Sequence, residues 1–114
     1  MTVEIERAVL EFSLECVSDI QEIDVPLGSR VVHVHEQAGI VCVWVEVEIS
    51  PYADHHPSKM RFLVVPTRRP FVGYKREPAG DWENAGEIST YAHHRGAAHV
   101  GGTVWHVYEL TNQA

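Results

Sequence analysis

A chain of 114 residues, 45% of them hydrophobic, is enough for one domain with one core and short for two. Sixteen acidic against nine basic residues give a net charge of −7, which argues against non-specific binding to nucleic-acid phosphates and leaves a basic protein partner open. No apolar run is long enough to span a bilayer and the acidic start Met1-Thr2-Val3-Glu4 lacks a signal-peptide pattern, so the expected location is the cytoplasm of the cell that makes the protein.

In chain order, residues 3–14 place Ala8, Leu10, Phe12 and Leu14 in one alternating row and Val9, Glu11 and Ser13 in the other. That is a strand pattern; Ile5, Val9 and Phe12 also have helical spacing, but the β content downstream decides for a strand. Ile20, Ile23 and Val25 give a second short strand, ended by Pro26-Leu27-Gly28. Residues 30–49 are rich in β-branched residues, alternate with period two and break at Gly39, which predicts a central β-hairpin. Residues 50–57 read as a loop, 59–65 as a strand and 66–70 as a proline-bounded turn, with a brief strand over 71–74. Residues 75–102 carry several glycines beside Pro78 and little periodicity; they are expected to be a long surface loop, with a short strand over 88–91. The pattern returns at 103–110. The total is six to seven strands and no long helix: a single all-β domain over 1–114, built as a small antiparallel sandwich or open barrel.

The hairpin has two unlike faces. Val41, Val43, Val45, Val47 and Ile49 line one side of its second arm, and Val32 and Val34 line that side of the first. Val34 opposite Val41 or Val43 joins the apolar rows and sets His35 against Ile40 or Cys42. A two- or four-residue loop delivers this pairing. The other face then holds His33, His35, Cys42, Trp44 and Glu46, which is the candidate binding surface. Cys16 and Cys42 are too few for a disulfide framework and are expected to be reduced, packed as small hydrophobes. A nucleophilic role for Cys42 has no accompanying oxyanion-hole or elbow motif.

Eight histidines are many for this length. His33-x-His35 on a strand puts both rings on one face, about 7 Å apart at the backbone, with His106, His99 or Glu46 as third metal ligand. Cupin barrels use such a pair. Here the spacing from Gly28 is one residue short, Gly39 and Ile40 stand where the downstream glutamate belongs, and the second cupin motif has no counterpart. Exposed or interfacial histidines are the preferred reading over metal ligands, and no cofactor is expected. The adjacent pairs His55-His56 and His93-His94 need not converge on one ion. Asp54, His55 and Ser58 form a triad only on paper, and no phosphate-binding glycine loop is present. Arg68-Arg69 with Lys75-Arg76 is a basic patch best read as solvated loop charge.

Trp44 and Trp105 are assigned to the core in preference to an exposed interface. In the last strand Val104, His106, Tyr108 and Leu110 make the more apolar row, so this row is expected to face inward with His106 buried, neutral and hydrogen-bonded.

Three stretches carry a resemblance: Gly28-Ser29-Arg30-Val31-Val32-His33-Val34 through Gln37-Ala38-Gly39 to Val41-Cys42-Val43-Trp44-Val45; Arg61-Phe62-Leu63-Val64-Val65; and Gly102-Thr103-Val104-Trp105-His106-Val107-Tyr108-Glu109. Together they resemble a family of small uncharacterised proteins encoded by tailed bacteriophages, mostly of actinobacteria. The likeness covers roughly 5–66 and 99–110. Residues 67–98 depart from it, with Pro66-Thr67-Arg68-Arg69-Pro70 in place of a short Gly-Thr-Gly-like turn. The resemblance assigns no activity to any residue. It implies a viral accessory protein in the cytoplasm of an infected bacterial host. With no complete catalytic constellation, the expectation is a non-enzymatic protein that binds a host or phage protein and forms a homodimer. The alternatives are a metal- or small-ligand-binding β-barrel using His33 and His35, and a structural component of the virion.

Overall fold

The computed structural model of the chain describes residues 5–17, 19–50, 57–69, 74–76, 82–84 and 91–112. Among them are nine strands and no helix: β1 (Arg7–Leu14), β2 (Ile20–Pro26), β3 (Arg30–Gln37), β4 (Ile40–Glu48), β5 (Pro57–Pro66), β6 (Tyr74–Arg76), β7 (Trp82–Asn84), β8 (Tyr91–Val100) and β9 (Thr103–Thr111). Seven are long, and β6 and β7 have three residues each. None of the described residues forms a helix long and apolar enough to cross a membrane.

The strands make two antiparallel sheets, one of order β1-β4-β3 and one of order β2-β5-β9-β8-β7-β6. One hydrophobic cluster draws on both sheets, and neither closes on itself, so the architecture is a sandwich and not a barrel. The valine row of β4 explains the arrangement. Val41, Val43, Val45 and Val47 point to one face and are buried against Phe62 and Val64 of β5 and Val107 of β9. Each such side chain contributes about 1.5–3 kcal/mol when removed from water, and β-branched residues suit a pleated surface.

The central hairpin turns through Ala38 (φ 52°) and Gly39 (φ 80°), with Gln37 paired to Ile40. This two-residue turn with both φ positive matches the twist of the flanking strands. Gly101 and Gly102 make the same kind of turn between β8 and β9. The register sets Val34 opposite Val43 and His35 opposite Cys42, one of the two pairings expected. Val32 is the exception. A bulge between Val31 and His33 leaves it out of the ladder and 42% exposed, and Val31 takes the inward place instead. The extra residue lets Val31 and Val34 both face the core.

Two further expectations are overturned. The long loop over 75–102 contains β7 and the ten-residue β8, which pairs with β9 along its length. Its inward residues include Gly96 and Ala98, too small to print an apolar period. A bulge between His94 and Gly96 shifts the phase, so that Arg95 leaves the ladder and Gly96 stands opposite Val107. A Cβ on Gly96 would lie 2.8 Å from the Val34 Cβ, so here the two sheets come together on a bare backbone. The second correction concerns β9. Its Trp105–Val107 row faces the main core, with Val107 fully buried and Trp105 packed against it. The Val104–His106–Tyr108–Leu110 row lies on the other face, where Leu110, Leu63, Val65 and Ala92 form a second buried cluster. His106 is therefore half-buried and outside the main core. Both rows of β9 are partly covered, so a contest between one inward and one outward row does not describe this strand. Residues 71–73, 88–90 and 51–56, read above as strand, strand and loop, lie outside the described residues.

Candidate functional site

Three rows cross the outer face of the three-stranded sheet. Register places Val9, Glu46 and Arg30 in one row, Glu11, Trp44 and His33 in the next, and Ser13, Cys42 and His35 in the third. The five residues singled out from the sequence thus share one face, because strand alternation sends even positions of β4 outward while the Val32 bulge brings His33 opposite Trp44. His33 and His35 are exposed and stack with ring centroids 5.8 Å apart. The His33 ring lies 5.2 Å from Trp44, tilted by 49°. Trp44 is half-buried and belongs to this face, whereas Trp105 takes the core position expected of both.

Glu46 is neutralised locally. Arg30 donates to it from Nε at 3.2 Å and Nη2 at 3.5 Å, and the Arg7 Nε lies at 3.7 Å. The two guanidiniums from the flanking strands already engage the carboxylate oxygens that a metal ion would need. Cys42 is buried at 2% exposure. Loss of water pushes its thiol pKa up, and a hydrogen bond to Glu11 adds to the rise against an opposing contact with Ser13. A reactive cysteine needs the reverse environment.

The outer face of the six-stranded sheet carries a second histidine cluster. His94 Nε2 lies 3.0 Å from His106 Nδ1, and His106 Nε2 lies 2.8 Å from Thr67 Oγ1. The Thr67 hydroxyl also reaches the Val104 carbonyl at 3.3 Å. A hydroxyl that donates to Val104 accepts from His106 Nε2–H, leaving His106 Nδ1 to accept from His94 Nε2–H. His94 packs edge-on to Tyr108 with centroids 5.2 Å apart. Although His94 as a residue is exposed, partial burial of its ring is the main cause of a lowered pKa, and the neighbouring His106 is the second. Burial likewise pushes the Tyr108 hydroxyl up.

Sequence reasoning missed this cluster. The link between His94 and His106 runs through the β8–β9 register, which sets His94 opposite Tyr108 and Ala97 opposite His106. The tight-turn pair Gly101-Gly102 was the available signal. His93 points the other way, buried and 2.7 Å from Thr111 Oγ1, so the adjacent pair His93-His94 straddles the sheet. Nor does His106 complete a site with His33 and His35, since it stands on the other sheet. Among the described residues no group of three or more His, Cys, Asp or Glu is placed to hold a metal ion. His99 is exposed opposite Val104, and Arg68 and Arg69 are exposed beyond β5. Asp54, His55 and His56 lie outside the described residues, as do the side chains of Lys75 and Arg76.

A family profile, the domain of unknown function DUF7352, matches residues 5–114. The chain belongs to the DUF7352 family. No curated protein and no solved structure matches it. The family match spans all nine strands, so both histidine clusters are parts of the DUF7352 domain itself.

The chemistry open to this DUF7352 domain follows from exposure. The His33–His35–Trp44 face offers flat imidazole and indole surfaces, with Val9 and Ile40 exposed at its margins. Such a surface suits aromatic and apolar side chains of a partner. An open apolar depression of about 550 Å³ lies elsewhere, at the end of the sandwich by the Gly39 turn, lined by Leu14, Cys16, Ile40, Val41 and Val100 among others.

Proposed function

We propose that this DUF7352 domain is a non-enzymatic binding protein that docks a protein partner on the outer face of its three-stranded sheet. The observation that carries the reading is the exposed His33–His35–Trp44 patch, framed by a charge-neutralised Glu46 and a buried Cys42 whose thiol is held protonated. The face has anchors for recognition and lacks an activated nucleophile. An overall charge of −7 favours a partner of basic surface over nucleic acid. With the sequence resemblance, the reading extends to a phage accessory protein at work in the cytoplasm of a bacterial host, and it includes self-association into a homodimer.

The test is capture of proteins from infected-cell lysate with the wild-type chain, without a histidine tag, and with Trp44→Ala and His33→Ala. The expected result is one partner retained by the wild type and lost by both variants. Bound transition metal at one equivalent, lost on His33→Ala, would move the assignment to a His33/His35 ligand site. Recovery of the chain from purified particles by mass spectrometry would make it a virion component.

A further inference from the structure

We infer that the free edge of β1 is a homodimer seam, where two copies pair antiparallel about Val9 and merge their small sheets into one of six strands. The inference makes the self-association part of the proposed function specific and is independent of what binds the His33–His35–Trp44 face. β1 pairs only with β4 among the described residues, and none of the described strands lies on its other edge. The Ile49 amide donates to the Glu6 carbonyl, which fixes the even positions of this segment as those turned to β4. By alternation, Arg7, Val9, Glu11 and Ser13 aim their amides and carbonyls at the open edge.

That edge is weakly guarded, because its charges, Arg7 and Glu11, are of opposite sign and can pair with those of a second copy. Val9 is 54% exposed on the outer face, and Leu10 is 43% exposed on the inner face although its row is apolar. A long edge with apolar residues on both faces is a template for another strand. The edge of β2, at the border of the larger sheet, contrasts with it. It carries Glu22 and Asp24 and ends on Pro26, so that a second copy would bring like charges together.

Charge decides what covers β1 and in which register. A two-fold axis between antiparallel strands keeps outer face with outer face, so the dimer must centre on one residue. Centring on Glu11 sets Glu11 against the partner's Glu11, and centring on Arg7 repeats the fault with arginines. Centring on Ala8 or Leu10 leaves Arg7 and Glu11 facing apolar or hydroxyl side chains. Centring on Val9 puts Arg7 opposite the partner's Glu11 at both ends, Val9 on the partner's Val9 between them, and Ala8 opposite the partner's Leu10 on the inner face. The open amides and carbonyls of Arg7, Val9 and Glu11 then close about six backbone hydrogen bonds. The symmetry also brings both His33–His35–Trp44 patches onto one side of the joined sheet.

The test is the dimerisation constant of the full chain, measured by sedimentation from about 1 to about 200 µM, for wild type, Arg7→Glu, Glu11→Arg and the double exchange. Both positions are exposed, and circular dichroism checks the fold of each variant. Each single reversal makes like-charged pairs at both ends of the seam and is expected to weaken the dimer about tenfold; the double exchange restores it. Trp44→Ala is expected to leave the constant unchanged. A monomeric wild type across the range overturns the inference, as do unaffected single variants or a double exchange no better than the worse single. A dimer lost in Trp44→Ala and kept in the β1 variants would place the seam on the Trp44 face. Failure of partner capture, with the β1 pattern intact, would count against the proposed function alone.

Discussion

Gly96→Ala probes the closest approach between the two sheets. The new Cβ would stand 2.8 Å from the Val34 Cβ, 3.2 Å from Cγ2 and 3.5 Å from Cγ1. Carbon atoms are comfortable at about 3.5–4.0 Å, so β3 and β8 must separate by about 0.7–1 Å. Turning the Val34 side chain exchanges its methyls but leaves its Cβ in place, so the relief has to come from the backbone. Val34 is 7% exposed and pairs with the fully buried Val43, so that backbone is held on its other side too. Overpacking of this kind costs about 1–3 kcal/mol. Gly96 is not among the positive-φ residues, so alanine is compatible there and stabilises by restricting the unfolded chain, by about 0.4–1 kcal/mol. The net expectation is a loss of about 1–2 kcal/mol, or a Tm lower by about 5–10 °C in thermal unfolding followed by circular dichroism. A double-mutant cycle sharpens the assignment: Val34→Gly removes the clashing atom and should recover about 1 kcal/mol, whereas Val34→Ala keeps that atom and should recover less. A Tm unchanged or raised in Gly96→Ala would refute the close approach.

Ala38→Asn should raise the urea midpoint, by about 0.5–1 kcal/mol in stability, because Ala38 holds φ 52° in a turn where asparagine tolerates the left-handed region better; an unchanged midpoint would mean that the turn is not strained. Thiol labelling of the native protein should modify Cys16 before Cys42, since burial raises both thiols and Cys42 is the more deeply buried; equal rates would show that the Ser13–Cys42–His35 row opens readily. For His94 the fold favours the neutral ring, so the stability it contributes is complete above its ordinary value of 6.5 and is lost as pH falls through that value toward the lower folded one. Urea unfolding at pH 7.5, 6.5 and 5.5 should show this slope in the wild type and a shallower one in His94→Gln; identical slopes would remove His94 as its source.

The central hairpin was legible because nothing in it competes: the valines repeat every second residue, Gly39 marks the turn, and only one register family keeps the valine rows together. Its outer face was legible for the same reason, since His33, His35, Cys42, Trp44 and Glu46 occupy the alternate positions. β8 was not legible. Its core contacts are made by Ala92, Gly96 and Ala98, whose smallness is the structural requirement and also what hides the pattern. Bulges at Val32 and Arg95 add one residue each to an otherwise strict period, and period-two reading has no means of locating them. The misreading of His106 came from treating β9 as two-sided, when Val107 and Leu110 are buried in separate clusters on opposite faces. The His94–His106 contact was then out of reach, because it depends on a strand that had been read as loop.

The place of β9 in the larger sheet has a consequence for how the chain is made. It lies between β5 and β8, yet it is the last of the nine strands in sequence. During synthesis the β3–β4 hairpin can close early, since its partners are adjacent, and β1 can join it. The β2–β5 pair also forms from residues already made, but its inner edge has no neighbour until Thr103–Thr111 emerges. Until then, two half-sheets with unpaired borders wait for one strand, and that interval is when the nascent chain is most open to wrong pairing. A ribosome paused before Thr103 should expose an adhesive intermediate, and release of the last strand should close it in a single step.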